Sequence, residues 1–180
     1  MVYKSTRISA GFCISLAAII LLVPFAWLVS MLIAAAFHEL CHLIAIRLLS
    51  GQNKAVYLRL AGPRIDLPDL SAGKEVLCAL AGPLGGLFLI VFLDVFPQLA
   101  ICALLQSAYN LLPLYPLDGG RAMKHMLLVL LPPPVAKKSF RIIECICKIC
   151  IVLTGIWCWV WGGLGPMVLL VGIVLVLRVK

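Results

Sequence analysis

A long apolar stretch near the start of the chain constrains the fold more than any other feature. Residues 8–49 are apolar, and Glu39 is the first charged residue among them. One membrane-spanning helix needs about 20 apolar residues, so this stretch is long enough for two. Pro24 is the only plausible break within it. We therefore predict a first span near residues 8–23 and a second near 27–48.

The composition of the whole chain also indicates a membrane protein. Its 180 residues are 64% hydrophobic and 12% charged, with a mean hydropathy of +1.16. A soluble domain is about half apolar and about a quarter charged. A body of this size has too little interior to bury so many apolar side chains. Because the apolar runs are unbroken rather than alternating, we predict an all-α polytopic membrane protein.

Six transmembrane helices are predicted in total. The polar segment 50–74, after the second span, has two short strand-like runs at 55–60 and 64–67 around a Gly-Pro turn. They predict a small membrane-associated β-hairpin. Residues 119–134 are too short an apolar segment to span, so we expect them to re-enter the membrane or to lie along its surface. The last four predicted spans cover residues 76–94, 98–112, 142–161 and 165–178.

The basic residues assign the two sides of the membrane. If the N-terminus is cytoplasmic, the outer turns are 24–26, 95–97 and 162–164, and none of the 15 Lys and Arg residues falls there. Basic residues collect on the cytoplasmic side of membrane proteins. Lys148 lies two turns into the fifth span, where its long side chain can reach that side. Both termini and residues 50–74 are thus predicted to be cytoplasmic. Topology explains the net charge of +8, so no nucleic-acid partner is predicted.

The second predicted span contains the sequence His38-Glu39-Leu40-Cys41-His42. Positions i and i+4 share one face of a helix, so His38 and His42 can bind one metal ion. Glu39 is adjacent and can accept a proton from water at that metal. Imidazole and carboxylate ligands suit zinc. The alternative is a pair of interior histidines bonded to neighbouring helices. Ionisable groups inside a span are costly and by default functional, which favours metal binding.

A third ligand is needed, because catalytic zinc usually has three protein ligands and a water. Three candidates for this ligand are weaker. Asp94 lies at the outer end of the third span, on the wrong side. Glu144 fits a surface role in the fifth span, and His125 lies at interface depth. Asp118 lies at the cytoplasmic end of the fourth span and precedes Gly119-Gly120, which permit a sharp turn. Irregular backbone at membrane depth needs protein or a water-filled cavity around it. An ordinary Asp-Gly turn is the alternative interpretation of Asp118.

With these residues the sequence resembles the site-2 protease family of intramembrane zinc metalloproteases. The resemblance rests on three motifs in the family's order: His38-Glu39-x-x-His42, Ala81-Gly82-Pro83 and Asn110…Pro113…Pro116-Leu117-Asp118-Gly119-Gly120. It implies that zinc is held by His38, His42 and Asp118. It further implies that Glu39 is the general base and that Asn110 helps to position the substrate near the metal.

Within this family the six-span layout most resembles the sporulation type, which processes a sigma-factor precursor. The resemblance covers about residues 27–125 of one predicted domain, 1–180, and leaves a C-terminal helical hairpin at 142–178. It implies that the predicted hairpin near 55–67 guides an unfolded substrate segment by strand addition. No PDZ or nucleotide-binding regulatory domain is predicted. Cys41 stands where the family usually has glycine, so looser helix packing is expected there.

Three glycines in the third predicted span, Gly82, Gly85 and Gly86, are interpreted as packing residues. Small residues in a membrane helix let neighbouring helices approach closely, and this is the usual reason for their presence. We do not predict a catalytic role for them.

The sequence therefore predicts a zinc metalloendopeptidase in the bacterial cell membrane. Its expected partners are the lipid bilayer, a membrane-associated protein substrate cut near the cytoplasmic face, and a membrane inhibitor or regulator protein. The alternative is a catalytically silent membrane chaperone or metal-binding scaffold, although such a protein has no use for Glu39. A zinc transporter needs acids or histidines across the bilayer, and the third, fifth and sixth spans have almost none.

Overall fold

The computed structural model describes residues 23–50, 71–162 and 167–178. Of these residues 86% are helical, and none of them forms a strand. The prediction of a helical protein is therefore confirmed for this part of the chain. All but the last residue of the first predicted span, 8–23, and the predicted β-hairpin near 55–67 lie outside the described residues.

Prolines precede or begin several of the helices. Pro24 comes directly before the first helix, and Pro97 and Pro133 are the first residues of two others, where a missing backbone N–H costs no hydrogen bond. A 3-10 turn, Leu89–Phe92, extends the second helix. The α-helices are α1 (Phe25–Ser50), α2 (Ala72–Phe88), α3 (Pro97–Asn110), α4 (Asp118–Leu130), α5 (Pro133–Val160) and α6 (Met167–Arg178).

Three of these helical segments are long and apolar enough to cross a membrane: Phe25–Ser50, Ala72–Phe92 and Pro133–Val160. Helices α3 and α6 form where the fourth and sixth spans are predicted, but they have only 14 and 12 residues. One span needs about 20 residues. The described part of the chain thus supports a membrane protein with three candidate spans and does not support six.

The start of the fifth predicted span differs from the expectation. Residues 118–130 form helix α4, and α5 begins at Pro133 rather than near residue 142. Proline at the first helical positions starts a helix as readily as it ends one. The first three turns of α5 carry Lys137, Lys138 and Arg141, so a hydropathy criterion misses them.

Small residues bring the helices together around α2, which packs against α1, α3 and α4. Ala34, Ala79 and Ala103 are each only 1% exposed. Large apolar side chains point outward instead, and Leu48 and Val91 are 77% and 74% exposed. Close packing through small residues with large ones outside is typical of helices in lipid. Helix α5 packs on α4 and on α6.

Candidate metal centre

The two histidines of α1 lie one turn apart and face the interior between the packed helices. His38 is 2% exposed, and the rings of His38 and His42 meet edge to face with their centroids 4.8 Å apart. Their Nε2 atoms are 3.2 Å apart. The i, i+4 spacing therefore places both imidazoles on one buried face, as the sequence predicts.

Asp118, the first residue of α4, completes the group. Its Oδ2 lies 3.0 Å from His38 Nε2 and 3.1 Å from His42 Nε2. Bonds of about 2.0–2.1 Å from a tetrahedral zinc ion place the donor atoms about 3.3 Å from one another. The three donors of this structure are only slightly closer, so His38, His42 and Asp118 lie close enough to hold a metal ion.

A hydrogen bond orients the ring of His42. Its Nδ1 donates to the backbone carbonyl oxygen of Cys78 at 2.7 Å. This bond turns the ring so that Nε2 faces His38 and Asp118, where it can bind a metal ion once it carries no proton. Histidines that bind metals almost always donate their other ring N–H in this way. This bond is a second reason why the donor set fits a metal ion.

The other candidate ligands do not join the three donors. Asp94 is exposed in the turn between the 3-10 turn and α3. Glu144 forms an ion pair with Lys148, one turn later on α5, at 3.3 Å. His125 is half-buried on α4, two turns beyond Asp118. Asp118 alone among these candidates meets the histidines.

The two glycines after Asp118 do not make the sharp turn expected from the sequence. Gly119 and Gly120 are buried in the first turn of α4. A side-chain carbon on Gly119 would overlap the carbonyl oxygen of Leu111, and one on Gly120 would overlap the backbone of Leu114. Their absent side chains thus let the start of α4 pack on the preceding loop, which holds Asp118 in place.

An ion pair and hydrogen bonds set the electrostatics around Asp118. Burial raises the pKa of Asp118, but its hydrogen bonds with His38 and His42 outweigh burial and lower the pKa to about 2. One turn further along α4, Arg121 pairs with Glu75 of α2 at 3.7 Å. This pair ties α4 to α2 beside the three donors.

Asn110 and Glu39 lie near the donors without belonging to them. Asn110 ends α3, and its Nδ2 is 3.5 Å from Nε2 of His38. Glu39 is exposed on α1 and is not among the residues whose ligand atoms converge. The three candidate ligands are therefore distinct from Asn110, whose amide lies beside them, and from Glu39, whose carboxylate is exposed.

Gly82 is a site residue that the sequence interpretation assigned to packing alone. A side-chain carbon at position 82 would lie 2.6 Å from Cδ2 of His42 and 2.7 Å from Nε2 of His38. Real side-chain carbons essentially never approach other atoms below 3.0 Å. Gly82 thus leaves the space that the two rings occupy. The sequence feature that could have indicated this role is the Ala81-Gly82-Pro83 motif.

The looser packing expected at Cys41 is not seen. Gly85 of α2 faces Cys41 so closely that a side-chain carbon at position 85 would overlap its Sγ atom. The two helices remain close because the residue without a side chain is on α2 rather than on α1.

No family model, curated protein or solved structure matches the chain. The function is therefore inferred from the geometry of the site and from the sequence motifs. Both concern the same residues: His38 and His42 on one helix, and Asp118, which follows His42 by 76 residues and meets them in the fold.

Proposed function

We propose that the chain is an intramembrane zinc metalloendopeptidase of the site-2 protease type. The observation that carries the proposal is the meeting of His38 Nε2, His42 Nε2 and Asp118 Oδ2 within 3.0–3.2 Å of one another. Two imidazoles and one carboxylate form a donor set typical of catalytic zinc, which keeps a fourth position for water or substrate. A fully protein-ligated structural site would use four side chains.

Each neighbouring residue has a role in this chemistry. Zinc held by the three donors supplies a Lewis acid and lowers the pKa of water toward neutrality. Glu39 is exposed and outside the donor set, so it is available to accept the proton of the attacking water and to pass it to the leaving amine. Asn110 carries an amide beside His38, where it can hydrogen-bond the backbone of a bound substrate.

The proposed topology has six spans in the bacterial cell membrane, with both termini on the cytoplasmic side; three of the six coincide with described helices that are long enough to cross. The distribution of basic residues supports it. Lys74, at the start of α2, donates a hydrogen bond to the carbonyl oxygen of Leu49, at the end of α1, at 3.0 Å. The two ends of the segment 50–74 are therefore adjacent, which agrees with their lying on one side.

This topology determines the class of substrate that we propose. Asp118 begins α4 and the basic residues collect nearby, so the metal centre lies toward the cytoplasmic face. We infer a membrane-associated protein substrate cut near that face in regulated proteolysis, with a sporulation sigma-factor precursor as one candidate. A membrane inhibitor or regulator protein is the corresponding candidate partner.

Co-expression with membrane-tethered sigma-factor precursors tests the proposal. Immunoblotting should show a shortened precursor with the wild-type chain and none with Glu39→Gln, whose amide cannot accept the proton. The purified Glu39→Gln chain should keep its zinc. Asp94→Asn, which makes the same carboxylate-to-amide change at another exposed position, should cleave like the wild type.

The outcomes separate the protease from the metal-binding scaffold. Near wild-type cleavage by Glu39→Gln would remove the general base from the mechanism. Zinc binding without cleavage of any precursor, by the wild type and Glu39→Gln alike, would favour the catalytically silent scaffold. That alternative has one structural observation in its favour, because the three donors meet without any contribution from Glu39.

A further inference from the structure

A second polar site lies between α4 and α5, apart from the metal centre. A cavity of about 280 Å³ opens there. The share of liquid volume that one water molecule takes is about 30 Å³, so the cavity is large enough for a polar group of several atoms. Its lining includes Tyr115, Lys124, Lys137, Phe140, Arg141 and Glu144.

Positive charge dominates this lining. Lys124, Lys137 and Arg141 are three cations, and none of them forms an ion pair within the part of the chain that the structure describes. The one acid of the lining, Glu144, is paired with Lys148 at 3.3 Å. Its charge is therefore compensated by a residue outside the lining. The cavity has an excess of positive charge without an acidic partner.

The three cations come from two helices and face the same space. Lys137 and Arg141 are four residues apart on α5 and so share one face of that helix. Lys124 comes from α4 and is half-buried, with its Nζ 5.2 Å from the centre of the Tyr115 ring. This cation–π contact restrains the ammonium group. Lys137 and Arg141 are exposed, so an anion can reach the cavity from outside.

We propose that this cavity binds a phosphate group. Arginine presents a planar fork of donors that matches phosphate oxygens, and lysine adds a compact point charge. Basic pockets between helices at the cytoplasmic surface of a membrane bind anionic lipid headgroups. In the proposed topology, on which this step rests, the start of α5 is cytoplasmic and precedes its apolar run, so the cavity lies at that surface. An anionic phospholipid headgroup and free phosphate share the required chemistry.

The test uses the purified full-length chain in a neutral detergent. Binding of phosphatidylglycerol and of inorganic phosphate is measured separately by native mass spectrometry, for the wild type and three variants. Lys137→Gln and Arg141→Gln should each weaken phosphatidylglycerol binding about fivefold, since one Lys or Arg near a membrane surface contributes about that factor. Lys138→Gln is the matched control, because Lys138 is the exposed neighbour of Lys137 and does not line the cavity.

The two sources of phosphate give different results. Binding of the lipid with the expected variant pattern, and no binding of inorganic phosphate, identifies a headgroup site. Binding of inorganic phosphate with the same pattern identifies a site for the free ion. An equal loss in Lys138→Gln, or no saturable binding of either probe, overturns the proposal. Thermal unfolding of the same samples in detergent shows that the variants are folded, whether or not the chain binds a metal ion.

Discussion

Gly82 of α2 lies directly against the imidazole of His42. A side-chain carbon at position 82 would lie 2.6 Å from the ring atom Cδ2 and would also approach Nε2 of His38 to 2.7 Å. Helix α2 therefore presents bare backbone to both rings. The histidines have room to turn toward Asp118 only because this position has no side chain.

The first prediction follows from this contact. Gly82→Ala should displace one or both rings and lower zinc affinity by about tenfold to a hundredfold, as happens when the groups that orient metal ligands are disturbed. Metal content after gel filtration, determined by mass spectrometry, measures the effect. Gly73→Ala is the matched control on the same helix, because nothing lies within 4 Å of a side-chain carbon there. Full zinc retention by Gly82→Ala would show that the two rings can accommodate a side chain at position 82 and still bind the metal.

The second prediction concerns the carboxylate ligand. With a pKa of about 2, Asp118 is ionised at neutral pH. Asp118→Asn removes this charge while nearly preserving the shape, so zinc retention and cleavage should both fall. Asp94→Asn should change neither, since Asp94 is exposed and away from the three donors. Equal zinc content in the two variants would assign the third ligand to another residue.

A third prediction tests helix packing away from the metal. A side-chain carbon on Gly86 would overlap Oγ of Ser107 in α3, whereas the Ser107 Cβ is 3.6 Å away, an ordinary contact distance. Gly86→Ala alone should cost about 1–3 kcal/mol, the usual penalty for overpacking. Adding Ser107→Ala should recover most of this loss.

Ser107→Ala by itself is the control for that pair. The Ser107 hydroxyl is buried and has no hydrogen-bond partner in the part of the chain that the structure describes. Its removal should therefore leave stability unchanged or slightly higher. Thermal unfolding in detergent measures all three variants. Additive effects in the double variant would mean that the two residues do not meet.

The fourth prediction is topological. On a background without reactive native cysteines, Ser71→Cys and Asp94→Cys place single thiols before α2 and after the 3-10 turn. An impermeant maleimide added to intact cells should label the chain with Asp94→Cys and spare the chain with Ser71→Cys, because basic residues mark the side of Ser71 as cytoplasmic. Labelling of the Ser71→Cys chain alone would invert the topology and move the substrate to the outer face.

Much of the local structure could be predicted from the sequence. Hydropathy and the proline positions locate α1, α2 and α3 to within a few residues, because a helix in lipid satisfies its own backbone hydrogen bonds and depends on local composition. Helix α5 begins well before residue 142, since Lys137, Lys138 and Arg141 interrupt its apolar residues and hide its start from hydropathy. The number of helices long enough to span also differs, because the helices at the fourth and sixth predicted spans are shorter than the roughly 20 residues that a crossing needs.

The sequence by itself determined that the chain is a helical membrane protein and that His38 and His42 share one helix face, since both follow from properties that repeat over a few residues. Only the tertiary structure decided which carboxylate joins them. His38 and Asp118 are 80 residues apart in sequence, and they meet because α2 packs between their helices with Gly82 at the contact. The basic cavity also arises from tertiary packing, since its lining comes from both α4 and α5. Such convergence depends on how helices pack, and no local pattern encodes it.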